Sequence, residues 1–228
     1  RSMDPQQRLF LMESWHALED AGYSAKSLDN RSCGVFVGCG PSDYEHQLRE
    51  TAEWAEAFAF MGSASAILSS RISHHLNLKG PNFPVDTACS SALVALHLAC
   101  EQLRSGACEM AIAGGVTAIC VPRVYVMASR SGMLSPDGRC KAFSEEANGF
   151  VPAEGVGAVV LKLLSRARAD GDQIHAVIRG SGINHSGRSN GITAPNAGAQ
   201  AALQLQVYEQ CGINPETITC VETHATGT

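Results

Sequence analysis

Leu9, Met12, Trp15 (or His16) and Ala17 to Leu18 recur at helical spacing after Asp4-Pro5, and Gly22 ends the run. The spacing predicts an amphipathic helix over residues 4–21. Val35, Phe36 and Val37, bracketed by glycines, predict a buried strand that Gly38-Cys-Gly-Pro41 breaks. Residues 44–60 read as a weakly amphipathic helix and Ala64 to Leu76 as another, closed by the turn Lys79-Gly-Pro81. A short extended segment at Pro84-Val85 then runs through small polar residues into a further helical pattern. There Leu93, Leu96, His97, Cys100 and Leu103 share one spacing, with few charges before Glu101, so this helix is expected to be buried on most sides.

Met110-Ala-Ile-Ala-Gly-Gly-Val116 predicts a core strand. Between Ser129 and Asn148, Gly, Pro, Asp, Ser and Arg accumulate, which reads as a long ordered loop, either functional or a boundary between two halves. Val156 to Leu164 and Ile174 to Gly182 are strand-like, Ala197 to Cys211 is helical, and Thr219-Cys-Val-Glu222 reads as a last strand. Strands alternating with helices predict an α/β fold with mostly parallel pairing.

With 228 residues, 45% hydrophobic and 17% charged, the chain can bury one sizeable core or two small ones. The formal charge is −5 and no basic cluster could neutralise a run of phosphates, which argues against nucleic acid as a partner. No apolar run approaches the roughly 18 residues of a spanning helix, and Asp4, Arg8, Glu13, Glu19 and Asp20 stand where a signal peptide would be apolar. A cytoplasmic protein without a membrane partner is expected.

Nine cysteines show no CxxC and no histidine at zinc-finger distance, so neither a metal site nor a disulfide framework is expected. Gly38-Cys-Gly40 lacks the third glycine of a dinucleotide fingerprint, and a Gly-x-Ser-x-Gly elbow is absent. Most cysteines sit in apolar runs as small hydrophobes. Cys89 differs, because it lies where an extended segment meets a helix. A thiol in the first helical turn faces unpaired N–H groups and the positive end of the dipole, a setting that favours a nucleophile. On the residues alone, Cys89 can be that nucleophile or a packed cysteine, and His224 a catalyst or a packed histidine.

Seven blocks in order decide between these readings: Met3-Asp-Pro-Gln-Gln-Arg8, Trp15-His-Ala-Leu-Glu-Asp-Ala-Gly22, Lys79-Gly-Pro81, Val85-Asp-Thr-Ala-Cys-Ser-Ser91, Leu134-Ser-Pro-Asp-Gly-Arg139, Gly187-Arg-Ser-Asn-Gly191 with Thr193-Ala-Pro-Asn196, and Val221-Glu-Thr-His-Ala-Thr-Gly-Thr228. Together they closely resemble the β-ketoacyl synthase (ketosynthase) domains of modular type I polyketide synthases. The resemblance implies a thiolase-like fold of two stacked α/β halves in five layers, a homodimer, and decarboxylative Claisen condensation without metal or organic cofactor. Cys89 matches the family nucleophile that accepts an acyl chain from an acyl carrier protein, and its N–H would form part of an oxyanion hole. His224 matches the first of two catalytic histidines. Thr226 and Thr228 match the threonines that bind the phosphopantetheine arm, which arrives on the carrier as part of the substrate, and Phe150 matches an aromatic lining the acyl site.

Departures from the pattern are Ala225 for a usual glycine, Pro152-Ala153 for Arg/Gly, Ser144 for a frequent Asp, and His185-Ser186 for Asn-Asp. If position 225 required positive φ, the alanine would add roughly 1 kcal/mol of strain. The family's first strand, second histidine, later lysine and glycine-rich loop have no counterpart, so the chain reads as a ketosynthase piece incomplete at both ends and inactive in condensation by itself. Residues to about 150 would be most of the N-terminal half, and about 151–228 the start of the C-terminal half, beside other domains of a megasynthase. The alternatives are a non-condensing acyl-transfer ketosynthase and a fatty-acid synthase condensing enzyme.

Overall fold

A computed structural model describes residues 2–51, 54, 57–191 and 193–228. The elements run α1 (Pro5–Asp20), α2 (Ala25–Leu28), β1 (Cys33–Gly38), α3 (Tyr44–Leu48), α4 (Ala57–Ser63), α5 (Ser65–His75), β2 (Asn82–Val85), α6 (Ser91–Arg104), β3 (Met110–Thr117), α7 (Arg123–Arg130), β4 (Gly155–Leu161), α8 (Leu164–Asp170) and α9 (Ala197–Cys211). Of the helix expected over 44–60, α3 and α4 supply the two described ends, and residues 52, 53, 55 and 56 lie outside the described residues. No described helix is long and apolar enough to cross a membrane.

The strands form one sheet in the order β2-β1-β3-β4. β1 is parallel to both β2 and β3, while β4 runs antiparallel to β3. Every residue of β1 is buried because helices cover both of its faces. Alternate side chains take opposite sides: Val35, Val37, Met110 and Ile112 pack with Phe10, Leu18, Leu68 and Ile72 of α1 and α5, whereas Phe36, Ala111 and Ala113 pack with Ala95, Ala99 and Leu103 of α6. Fully burying a side chain such as Phe10 or Ile72 contributes about 1.5–3 kcal/mol.

Both principal helices bury a face only partly shared with the one their apolar spacing predicts: Leu18 in α1 and Cys100 and Leu103 in α6 are buried as expected. In α1 the buried positions are Gln6, Gln7, Phe10, Ser14 and Leu18, while Leu9, Met12 and Trp15 are exposed. Polar fasteners decide this. Asp4 caps the helix by accepting from Gln6 N at 2.7 Å, and the Gln7 amide nitrogen donates to the carbonyls of Met61, Gly62 and Ala64 at 3.0, 2.9 and 3.2 Å. Replacing Gln7 with leucine removes a donor shared by three carbonyls, of which Gly62 keeps Asp4 N and Ala64 keeps Ile67 N, and strips Arg71 Nε of the Gln7 Oε1 that accepts from it at 3.0 Å. The full-length Gln7→Leu variant is therefore expected to lose about 2–3 kcal/mol, read as a lower urea midpoint; a parental midpoint would show that these bonds add nothing.

In α6 the buried line is Ser91, Ala95, Ala99, Cys100 and Leu103, and Leu93 is 72% exposed. Small residues face the sheet because the helix comes very close to it. A Cβ on Gly38 would lie 2.4 Å from Ala92 N, and one on Gly115 would lie 2.8 Å from Ala92 Cβ. These two glycines, at the ends of β1 and β3, make room for the first turn of α6.

The chain divides into two compact units, one of residues up to Leu163 with Thr223–Thr228, the other Leu164–Glu222. Within the second, the expected strands at Ile174–Gly182 and Thr219–Glu222 are not strands, because no described strand pairs with them. Instead Gly180 and Gly182 lie against Val207, Cys211 and Leu203 of α9, so close that a Cβ at Gly180 would sit 2.6 Å from Cys211 Sγ. Asn196 caps α9 by accepting from Ala199 N at 3.1 Å, and Gly212, at φ 59°, ends it.

Candidate active site

β1, β2 and β3 point their carboxyl ends at the same edge of the sheet, and the connections leaving them carry the chemically interesting groups. After β2 the chain turns sharply into α6. Ala88 takes φ 56°, a left-handed conformation that costs a non-glycine residue about 1–2 kcal/mol. The turn is tied down by its own short side chains. Ala88 N donates to Asp86 Oδ1 at 3.1 Å, Thr87 N to Ser91 Oγ at 2.9 Å, Ser91 Oγ to the Ala88 carbonyl at 2.6 Å, and Ser90 Oγ to the Thr87 carbonyl at 2.8 Å. Cys89, exposed, follows the strained residue directly. It stands one residue before the cap Ser90, not in the first turn as its sequence position suggests.

The connection leaving β3 is held through its backbone. Consecutive N–H groups of Ala118, Ile119, Cys120 and Val121 donate to Gln6 Oε1 at 3.4 Å, Glu154 Oε1 at 2.6 Å, Asp43 Oδ2 at 3.0 Å and Asp43 Oδ2 at 3.3 Å. Carboxylates from the connection after β1 and from the approach to β4 thus fix the segment next to α7.

The thiols divide by environment. Burial, with Cys108 nearby, pushes Cys33 up to about 12. Burial with the Asp86 and Asp4 charges pushes Cys39 up to about 11, and burial with Asp43 pushes Cys120 up to about 12. Burial also raises Cys100 and Cys108. Since the thiolate is the reactive form, these five stay protonated and inert at neutral pH. Cys89, Cys140 and Cys220 are exposed and Cys211 is half-buried. Limiting iodoacetamide at neutral pH is therefore expected to label the exposed Cys89, Cys140 and Cys220 and to spare the five raised thiols, as peptide mass spectrometry would read. Equal labelling of Cys33 and Cys89 would contradict this division.

His224 is exposed, and its segment returns to the unit that carries Cys89. Ala225 is absent from the residues with positive φ, so its replacement of glycine brings no left-handed strain. The Thr226 and Thr228 hydroxyls lie 3.0 Å apart. Between them, the Gly227 carbonyl accepts from Gly149 N at 3.0 Å, which places the pair beside the half-buried Phe150. His224, Thr226 and Thr228 therefore share one stretch of chain, which the bond from Gly149 N to the Gly227 carbonyl joins to the loop that ends at Phe150.

Sequence reasoning missed what supports that stretch. Ser135, buried, donates to Asp137 Oδ1 at 2.6 Å and lies 3.2 Å from Asn148 Oδ1, and Lys141 Nζ pairs with Asp137 Oδ2 at 2.6 Å. The hydrogen bonds from Lys141 and then Ser135 hold the Asp137 carboxyl down at about 2. A Ser-Pro-Asp-Gly turn, in which an Asp side chain serves its own loop, was the available signal.

Residues 1–167 match the model of the β-ketoacyl synthase N-terminal domain, and residues 175–228 that of the C-terminal domain. The polyketide synthase PksL of Bacillus subtilis is 50% identical over 226 residues, which are 99% of this chain and 5% of that protein. Among solved structures, the ketosynthase from module 6 of the bacillaene synthase of Bacillus subtilis is similar at TM-score 0.90 and 49% identity, over 99% of this chain and 39% of that one. The Streptomyces albus oxazolomycin ketosynthase domain OzmH KS7 gives TM-score 0.92 and 42% identity, over 99% of this chain and 40% of that one. The likeness bears out the thiolase-like fold class, and this chain spans well under half the length of the structures it matches.

Proposed function

Since the chain belongs to the β-ketoacyl synthase family, we propose that it is part of a ketosynthase domain of a modular polyketide synthase, working in the cytoplasm as a homodimer beside other domains and an acyl carrier protein. Residues to about 150 are read as most of its N-terminal half and the remainder as the start of its C-terminal half. The observation that carries this reading is Cys89, an exposed thiol held by a strained and self-bonded turn where β2 meets α6.

In the first half-reaction the Cys89 sulfur attacks the acyl thioester on the carrier. The new carbon–sulfur bond replaces the one that breaks, and the carrier thiol leaves. Backbone N–H groups, that of Cys89 included, stabilise the tetrahedral oxyanion. In the second, the malonyl thioester loses carbon dioxide and the electron pair of the broken bond moves into an enolate. His224 donates a hydrogen bond to the enolate oxygen as its charge develops. The enolate carbon then attacks acyl-Cys89 and expels the sulfur. Thr226 and Thr228 hold the phosphopantetheine arm in both steps, and Phe150 lines the acyl site.

The test supplies the full-length protein with an acyl carrier thioester and then a malonyl carrier labelled in its free carboxyl. Release of labelled carbon dioxide with an acyl product extended by an acetate unit is expected. Acyl-Cys89 that accumulates without labelled carbon dioxide would overturn condensation and leave acyl transfer.

A further inference from the structure

Gly227 touches the 131–152 loop at two points. Its carbonyl accepts from Gly149 N at 3.0 Å, and its Cα lies so near the loop that an added Cβ would be 3.0 Å from Lys141 N. Each point is tied to the same pair of side chains. Lys141 is bound to Asp137 at 2.6 Å, Asp137 is bound to Ser135 at 2.6 Å, and Asn148, next to Gly149, lies 3.2 Å from the Ser135 hydroxyl.

Ser135 grips the loop through its main chain as well. Its N–H donates to the Phe150 carbonyl at 2.9 Å, its carbonyl accepts from Gly138 N at 3.4 Å, and its hydroxyl accepts from Arg139 N at 3.3 Å. Gly149, at φ 140°, presses so closely on this residue that an added Cβ would be 2.4 Å from Ser135 N. A short hydroxyl-to-carboxylate bond is charge-assisted and stronger than a neutral one, so the Ser135–Asp137 contact is the firm centre of the loop. Its reach extends to Gly227 and to the two hydroxyls that flank it. One of those hydroxyls donates to the other at 3.0 Å, which leaves the second with its proton free for a ligand.

We propose that Ser135, acting through Asp137, is a positioning residue that sets the Thr226 and Thr228 hydroxyls for the arm of the carrier-borne substrate. The inference rests on reading those threonines as the arm-binding residues. Ser135 touches no reacting atom, so its loss should weaken binding of the arm while leaving the chemistry at Cys89 intact.

The experiment uses the full-length protein with Ser135→Ala, Ser135→Thr, Asp137→Asn and Thr226→Ala, each assayed with an acyl carrier thioester and separately with iodoacetamide, which needs no arm. In Ser135→Ala and Asp137→Asn the KM for the carrier thioester should rise about tenfold, the size of one hydrogen bond to a charged group. kcat should stay within about twofold and Cys89 alkylation should be unchanged, with Ser135→Thr recovering most of the affinity. Asp137→Asn keeps the loop's volume, so the proposal stays testable should Ser135→Ala fail to fold. Parental KM in Ser135→Ala and Asp137→Asn, beside a raised KM in Thr226→Ala, would overturn the positioning role alone. A parental KM in Thr226→Ala would overturn the arm-binding reading beneath it. Parallel loss of kcat and alkylation in Ser135→Ala and Asp137→Asn would overturn positioning in favour of general damage.

Discussion

Cys89→Ala is expected to abolish acylation, so that intact mass shows no acyl adduct after incubation with a carrier thioester. The effect should be about a thousandfold or more, because no neighbouring group can replace a missing nucleophile. Geometry explains why other thiols do not substitute. Cys33, Cys39 and Cys120 are held near 11 to 12 by burial and by neighbouring charges, and Cys100 and Cys108 are raised too. Cys140 and Cys220 are exposed but lie outside the turn between β2 and α6. The substitution itself is mild, since Cys89 is exposed and the bonds that form its turn come from Asp86, Thr87, Ser90 and Ser91. An adduct of full yield at Cys140 or Cys220 in the variant would move the nucleophile elsewhere.

His224→Ala should separate the half-reactions. Loading needs a reactive thiol and an oxyanion hole, and on the proposed reading Cys89 brings the thiol and one of the N–H groups without His224. Decarboxylation builds negative charge on the malonyl thioester oxygen, and losing one donor to such a charge costs about 10²–10³ in rate. The variant should therefore load acyl groups at close to the parental extent and condense them about 10²–10³ times more slowly. Acyl-enzyme by intact mass, followed alongside condensed product from malonyl carrier protein, measures the two arms together. Condensation at the parental rate, or loss of loading as complete as in Cys89→Ala, would refute this division of labour.

The strands at 33–38 and 110–117 were legible because buried strands leave short apolar runs, and the strand at 155–161, though half-exposed, carries the run Ala158-Val-Val-Leu161. Faces were harder to read than elements. Leu9, Met12, Trp15 and Leu93 form convincing apolar spacings, yet Gln7, Ser14, Ser91 and Ala95 are buried instead. Periodicity assumes that the largest side chains go inward, whereas a helix seated on glycines needs small ones and a helix clamped by carbonyls needs an amide. The apolar runs at 174–182 and 219–222 misled because a strand also requires a ladder partner, which local pattern does not encode. At the site, the position of Cys89 was readable as a strand-to-helix junction, but its role and that of His224 came from family resemblance. Ser135 escaped notice because its importance lies in tertiary connections from residues 134–151 to residue 227.

The bond from Ala118 N to the Gln6 side chain spans 112 residues of sequence, and β1 is complete only when β3 lies beside it. Such non-local pairings delay folding, since the intervening chain must be closed into a loop before any contact rewards it. At a synthesis rate of about 5–20 residues per second, α1 waits on the order of ten seconds on the ribosome before β3 and its connection have been made, and longer for β4. During that interval one edge of β1 has no ladder partner. The growing chain therefore carries an open sheet edge at this stage of translation, a row of unpaired N–H and C=O groups that can pair with another chain until β3 arrives.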